Sequence, residues 1–405
     1  MDYKFVTECR ICGSSNLRKY LDLGNQPLAN NLVEGLSAKK YPLQVLFCEK
    51  CSLSQLSIVV SPKILYKDYP YRSSISQTFK EHCKDMALII KGLFKDAPGN
   101  PLVVDIASND GCLLEQFRTQ GYYTMGVEPC KELAKEAAKK DINTINEFFS
   151  EKLVSRIPAC DVITATNVLA HIDDIKGFIK ACKKLLRAFS KGILVIEVPY
   201  IYNLISNNQF DTIYHEHLSY FSFKPLKELF SSLGIPIFRV EQYPIHGGSL
   251  RIYASQYDRD EESSVRNLLD FEKKNKVHDF RTYKSYAKKV EYLREHFVNL
   301  LEDLKSKNKK VMGYGASAKG ISLLNYCGLD DSHMSAIVDD TIQKQGKRTP
   351  GSGIPIVNRD NFDTNKPDYI ALLSWNFSNE LKANTRSHKA RGGKYIIPIP
   401  QVRIE

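Results

Sequence analysis

The chain has 405 residues, a formal net charge of +11, 43% hydrophobic and 25% charged residues. That is length and apolar content enough for two or three domains with ample cores. It excludes a membrane partner, because no apolar run approaches the ~18 residues a bilayer needs; no charged-then-apolar leader follows Met1, so the cytoplasm is the expected compartment.

Residues 1–70 are rich in turns (Gly13, Asn25-Gln26-Pro27, Tyr41-Pro42) and short of apolar residues, so a metal is expected to organise them. From 76 to 93 the spacing of Phe79, Cys83, Met86, Ile89, Ile90 and Leu93 predicts an amphipathic helix, stopped by Asp96-Ala97-Pro98-Gly99-Asn100. Strands are then expected at 101–106, 123–127, 161–166 and 192–197, alternating with helices at 113–119, 131–139 and 174–186. This alternation predicts a mostly parallel sheet with helices on both faces. A helix at 223–233 and an antiparallel pair at 237–243 and 249–254 follow. Residues 258–308, highly charged and without Pro or Gly, read as a helical bridge. A second α/β unit begins at 310–312, with strands at 336–338, 369–373 and 395–397. The expected domains are 1–70, 71–257, 258–308 and 309–405.

Four of the ten cysteines form two spaced pairs, Cys9-Arg10-Ile11-Cys12 and Cys48-Glu49-Lys50-Cys51. Cys83, Cys112, Cys130, Cys160, Cys182 and Cys327 stand singly in apolar contexts. This pattern is poor for a disulfide framework and fits one metal site plus core thiols. Two such knuckles present four thiolates to one tetrahedral Zn²⁺, leaving no open position, so the expected metal role of Cys9, Cys12, Cys48 and Cys51 is structural.

Val103-Val104-Asp105-Ile106-Ala107-Ser108-Asn109-Asp110-Gly111 is a buried strand running into a polar turn and a helix. It resembles the first motif of S-adenosylmethionine (SAM)-dependent methyltransferases, with Ala107 and Asn109 where glycines are usual. Met125-Gly126-Val127-Glu128-Pro129 adds a carboxylate at the next strand end, placed to accept from ribose hydroxyls, as it also would in an NAD enzyme. Asn167-Val168-Leu169-Ala170-His171 follows the third strand. Tyr214-His215-Glu216-His217-Leu218-Ser219-Tyr220 then gathers two of the nine histidines with a carboxylate and two phenols, a composition suited to general-base chemistry near neutral pH. Gly313-Tyr314-Gly315-Ala316-Ser317-Ala318-Lys319-Gly320, with Asp339 ending the next strand, has the outline of a dinucleotide fingerprint.

In this order the motifs, together with His246-Gly247-Gly248-Ser249-Leu250-Arg251, resemble those of the zinc-containing SAM-dependent C-methyltransferases that act on nucleotide-linked 4-keto-deoxysugars. The resemblance spans essentially the whole chain. It implies an α/β protein with a small zinc-binding N-terminal domain, a central class I SAM methyltransferase (Rossmann-like) domain, and a second Rossmann-like domain that helps bind the sugar nucleotide without a redox cofactor. It implies SAM and structural Zn²⁺ as cofactors, and methylation at C-3, beside the ketone, through an enolate. His217 would be the base and Glu216 its support, with Tyr214 and His171 holding the sugar or its enolate oxygen. Tyr71, in Tyr69-Pro70-Tyr71-Arg72-Ser73-Ser74, matches an active-site tyrosine, with Tyr69 its near neighbour. Asp105, Ala107, Asn109, Gly111, Glu128 and Asn167 would hold the cofactor. His246, Ser249, Arg251 and Lys319 would face the sugar nucleotide.

The basic charge and the zinc also permit an RNA-modifying methyltransferase. That alternative needs a stacking platform and a clustered basic face, whereas the lysines are spread along helical stretches such as 273–289. An anionic small substrate accounts for the charge equally well, so no nucleic acid is expected. The sequence is silent on which nucleotide and sugar are used, on C-3 versus C-5 as the methylated carbon, and on oligomeric state, for which a monomer is the simplest assumption.

Overall fold

The computed structural model describes residues 2–32, 38–66, 71–94, 99–187 and 191–405. Leu17–Pro27 (β1) pairs antiparallel with Lys40–Cys48 (β2), and β2 with Ser54–Leu56 (β3). Along β2, Tyr41, Leu43, Val45 and Phe47 are buried while the residues between them are partly open, the period-2 alternation of a one-faced sheet. Residues 1–70 do bury one face of a sheet, but they do not complete a core by themselves. The missing apolar partner comes from far along the chain, where Tyr283 packs its ring 4.6 Å from Phe47 and 5.1 Å from Tyr20.

The helix Gln77–Leu93 (α1) starts at Ser76, whose hydroxyl accepts from the Phe79 amide at 3.3 Å, and buries Phe79, Cys83, Met86 and Ile90 along one face. The start of its expected stop signal, 96–98, lies outside the described residues. Then come Leu102–Ile106 (β4), Cys112–Thr119 (α2), Tyr123–Val127 (β5), Lys131–Ala138 (α3), Thr144–Ile145 (β6), Val162–Thr166 (β7), Ile175–Leu185 (α4) and Ile193–Pro199 (β8). The two-residue β6 is too short for a periodic signal and was not foreseen. Ser219–Tyr220 (β9) leaves this unit and pairs with β3, closing the first sheet in the order β9-β3-β2-β1. The chain returns through Phe223–Ser232 (α5), Ile237–Tyr243 (β10) and Ser249–Ala254 (β11).

The seven-stranded sheet runs β10-β11-β8-β7-β4-β5-β6, with β8, β7, β4, β5 and β6 parallel and β11 antiparallel to both its neighbours, β8 and β10. Every residue of β8 from Ile193 to Val198 is buried, as expected for a central strand covered on both faces. Chain order reverses beside β4, so a crevice opens beyond the carboxyl ends of β4, β5 and β7.

The bridge consists of Ser263–Lys274 (α6) and Phe280–Ser306 (α7). Asp279 caps α7, and Tyr283, Tyr286, Val290, Leu293, Phe297, Leu301 and Leu304 form its buried stripe. Then follow Val311–Tyr314 (β12), Ala318–Cys327 (α8), Ile337–Val338 (β13), Ile356–Val357 (β14), Tyr369–Leu372 (β15), Lys394–Ile397 (β16) and Arg403–Ile404 (β17). They form a second sheet in the order β14-β13-β12-β15-β16-β17, parallel except for β17. No helix among the described residues is long and apolar enough to cross a membrane.

Candidate active site and zinc centre

The two cysteine knuckles close in the same way. The amide of Gly13 donates to the Cys9 carbonyl and that of Ser52 to the Cys48 carbonyl, both at 2.8 Å, with Gly13 and Ser52 left-handed at φ 71° and 68°. The Sγ atoms of Cys9 and Cys51 lie 3.4 Å apart, those of Cys12 and Cys48 3.5 Å apart, and all four lie within 4.8 Å of one another. Zinc–sulfur bonds of ~2.3 Å in a tetrahedron put sulfurs about 3.8 Å apart, so the quartet fits Zn²⁺. The hydrogen bond with Cys51 draws the Cys9 thiol down to about 5, favouring the thiolate that binds metal.

The turn after β4 explains its unusual residues. Ala107, Asn109 and Gly111 have φ of 55°, 53° and 79°. Left-handed backbone costs an alanine roughly 1–2 kcal/mol, and asparagine tolerates it better. Both oxygens of Glu128 are occupied by backbone: Oε2 accepts from the Asn109 amide at 2.9 Å and Oε1 from the Cys130 amide at 2.8 Å. Burial raises its carboxyl nonetheless. Asp105 lies underneath, accepting from the Thr164 hydroxyl at 2.7 Å, and burial pushes it up to about 7. The Asn109 side chain accepts from the Ser73 amide and donates to the Tyr71 carbonyl, tying the tyrosine segment to this turn. Tyr71 itself is 41% exposed, at the mouth. Tyr69 lies outside the described residues.

His217 lines the same crevice. Its Nδ1 is 2.8 Å from the Thr212 carbonyl and its Nε2 is 2.9 Å from the Tyr214 hydroxyl. A carbonyl only accepts, so Nδ1 carries the hydrogen and Nε2 keeps the lone pair. The His171 ring stands edge-on to His217 with centroids 5.0 Å apart, and the Tyr66 hydroxyl is 2.8 Å from His171 Nδ1. Burial lowers His171 and His246 to about 4, and holds His217 well below the ordinary imidazole range.

Glu216 is not the support that the motif implies. Its Oε1 accepts from Asn30 Nδ2 at 3.0 Å, and the Thr212 carbonyl orients His217 instead. The reason is the tight turn, closed by the His217 amide on the Tyr214 carbonyl at 2.9 Å, which sends neighbouring side chains in different directions. His215 points away too, towards Tyr41 and the Pro42 carbonyl.

The C-terminal unit closes the crevice. Lys319 Nζ donates to the His246 carbonyl at 2.9 Å and lies 5.3 Å from the centre of the Trp375 ring, while Trp375 Nε1 donates to Asp211. Ser249 and Arg251 do not face this cleft, contrary to expectation. Arg251 is fully buried behind it, 3.0 Å from Glu197 and 2.9 Å from His82, with Tyr243 stacked at 3.9 Å. A guanidinium on a central strand must find a buried carboxylate, and the cross-strand neighbour Glu197 supplies it. Ser249 accordingly donates to the Ile245 carbonyl. The cleft itself is a cavity of about 430 Å³, lined by Asp105, Ala107, Asn109, Glu128, Asn167, Tyr71, His171, Tyr214, His217, His246 and Lys319. Gly111 is not on its wall; it starts α2 where a Cβ would meet Ile142 at 2.5 Å.

Comparison with known proteins gives partial likenesses to solved structures. One is magnesium protoporphyrin IX methyltransferase from Synechocystis PCC 6803 with bound SAM, at 13% identity, 44% of this chain, 79% of that chain and TM-score 0.35. Another is the CurJ carbon methyltransferase, at 14% identity, 46% of this chain, 57% of that chain and TM-score 0.35. Family models match over 9–66 ("Putative zinc binding domain"), 79–238 ("Methyltransferase domain") and 244–400 ("C-methyltransferase C-terminal domain"). Over 409 residues the chain is 34% identical to C-methyltransferase NovU from Streptomyces niveus, covering 98% of this chain and 97% of the relative. The chain belongs to the zinc-containing SAM-dependent C-methyltransferase family.

In this C-methyltransferase several cleft residues carried no sequence signal. Asn30 reaches the cleft from the zinc module, and Ser374, Asn376 and Phe377 from the end of β15. Lys344 joins them, held by Asp339 Oδ2 at 3.1 Å and the Ala316 carbonyl at 2.9 Å. Asp339, at a strand end, was the one hint; its carboxylate secures the Ala316 amide at 2.8 Å in the glycine turn.

Proposed function

We propose that this C-methyltransferase adds its methyl group to C-3, beside the ketone, of a nucleotide-linked 4-keto-deoxysugar, with His217 as the base. The observation that carries this reading is the pairing of two neutral imidazoles, His217 and His171, in the same cleft as the Asn109–Glu128 turn. The order of motifs along the chain supports the sugar class.

SAM, when bound, supplies an electrophilic methyl group on a sulfonium sulfur. Glu128 would accept from the ribose hydroxyls, Asp105, Ala107, Asn109 and Gly111 shape the turn after β4 that would receive the rest of the cofactor, and Asn167 adds to it from the end of β7. The Thr212 carbonyl holds the Nδ1 hydrogen of His217, so Nε2 carries the lone pair. It accepts from the Tyr214 hydroxyl in the substrate-free site and takes the proton from the carbon beside the ketone once substrate draws that hydroxyl to its carbonyl oxygen. The electron pair of that C–H bond moves onto the carbonyl oxygen, where Tyr214 and His171 are placed as donors. Because burial keeps the imidazoles neutral, His217 is ready to accept that proton at neutral pH. Lys319 and His246, with Tyr71 at the mouth, contact the substrate, and Lys344 adds a second cation for its diphosphate.

The test is incubation with SAM and a panel of nucleotide-linked 4-keto sugars in D₂O, followed by mass spectrometry and NMR of the methylated carbon. His217→Asn should abolish both methyl transfer and solvent exchange at that carbon. Full turnover in the variant would remove His217 from the role. Methylation of RNA, or of a sugar oxygen, would overturn the substrate reading.

A further inference from the structure

We infer that Arg10, the residue enclosed by the first zinc knuckle, is a positioning residue for both imidazoles of the cleft. Its side chain is 3% exposed, and its guanidinium spans two segments that the sequence keeps far apart. Nε donates to Asp173 Oδ1 at 3.1 Å, and Nη1 donates to the Leu218 carbonyl at 3.0 Å. Leu218 directly follows His217, and Asp173 stands two residues after His171 and lines the cleft. The two segments also meet each other, through the Leu218 amide on the Ala170 carbonyl at 2.7 Å. One planar cation thus pins the stretch on either side of a contact that sets His171 against His217.

The knuckle is what makes Arg10 a fixed point. Cys9 and Cys12 anchor the backbone on both sides of it, its own amide donates to Gln55 Oε1 at 3.0 Å, and Gln55 Nε2 donates back to the Glu8 carbonyl. A buried guanidinium needs its acceptors in place. Only a fork with separated donors reaches a carbonyl and a carboxylate at once, which a lysine ammonium on a flexible stem does not reproduce. The four-thiolate zinc centre therefore has a task beyond folding its own module: through Arg10 it sets the imidazole pair. This rests on the reading of His217 and His171 as the chemical groups.

The experiment uses the full-length, zinc-loaded protein as Arg10→Lys and Arg10→Gln. Four readouts are taken: zinc content by mass spectrometry, amide exchange by mass spectrometry, ring resonances in ¹⁵N-histidine-labelled protein, and calorimetric affinity for S-adenosylhomocysteine. The expected result is one zinc retained and unchanged S-adenosylhomocysteine affinity, with amide exchange over 214–220 faster by about tenfold, the loss of roughly one hydrogen bond. The ring signals of His171 and His217 move. Asp173→Asn, outside the knuckle, should move the His171 signal while leaving zinc and the exchange of 214–220 unchanged. Wild-type exchange and ring signals in zinc-loaded Arg10 variants would overturn the proposal, as would zinc loss with faster exchange confined to 9–51. Failure of the base assignment is separate: it is read from proton exchange in His217→Asn, which leaves these amide measurements untouched.

Discussion

The indole Nε1 of Trp375 donates to Asp211 Oδ2 at 2.7 Å, joining the C-terminal unit to the loop that carries His217. Asp211 is fully buried, and Trp375 is the chain's only tryptophan. Replacing Trp375 with Phe keeps an aromatic ring and removes the donor. The expected cost is about 1–3 kcal/mol, the penalty for leaving a buried acceptor unsatisfied. It should appear as a lower denaturant midpoint with an unchanged slope. An unaltered midpoint would mean that the bond contributes nothing to the union of the two units.

Zinc removal should undo more than the knuckles. Structural zinc contributes on the order of 10–16 kcal/mol in isolated modules, and β9 is hydrogen-bonded to β3 of the same sheet. Cys12→Ser and Cys48→Ser are expected to lose the metal and to expose the amides of β1–β3 together with those of 219–220. Elemental analysis and amide exchange check this; retention of one zinc per chain in both variants would refute the four-cysteine centre.

Asp105 gives stability a pH dependence of defined sign. Burial raises its folded value to about 7 from 3.8, so the folded protein holds a proton that the unfolded chain has released. Its contribution is therefore present below pH ~4 and is lost as pH rises towards ~7, with a slope of at most about 1.4 kcal/mol per pH unit. Denaturant midpoints measured from pH 5 to 8 should fall in the wild type relative to Asp105→Asn. Parallel pH profiles would contradict the buried, protonated acid.

Glu128→Ala should weaken S-adenosylhomocysteine binding by about ten- to a hundredfold, since hydrogen bonds to a charged acceptor contribute about 1.5–3 kcal/mol each. The variant also frees the amides of Asn109 and Cys130, so calorimetry should be paired with a thermal melt. Wild-type affinity in a folded variant would exclude Glu128 as a ribose acceptor.

Burial sets the expected acid limb of the rate. With His217 held well below the ordinary imidazole range, kcat/KM on a nucleotide-linked 4-keto sugar should stay level through the pH range where an ordinary imidazole titrates. Glu216, pushed up to about 7 by burial, is the competing titration. A limb near pH 7 that disappears in Glu216→Gln would assign the profile to Glu216.

Much of the architecture was legible because it is local. The strands at β4, β5 and β7 and the helices between them follow from period and breaker residues within a dozen positions, and the two CxxC pairs announce their knuckles by spacing alone. Strands β1–β3 of the first sheet were not foreseen, nor were the two-residue strands β6, β9, β14 and β17. Among the two-residue strands only β13, within 336–338, was expected, and the others carry no repeat to detect.

The site divides along the same line. Sequence by itself determined which residue types could do chemistry: the cysteine quartet, the Asp105 and Glu128 strand ends, and the histidines at 171, 215 and 217. Tertiary structure alone decided their partners. It gave His217 the Thr212 carbonyl in place of Glu216, paired Arg251 with Glu197 inside the fold, brought Asn30 and Lys344 to the cleft from distant segments, and set Arg10 against Asp173 and the Leu218 carbonyl. The physical reason is that residue type and local spacing fix what a side chain can donate or accept. Which groups it meets is set by long-range strand pairing and by the need of each buried charge to find a counterpart.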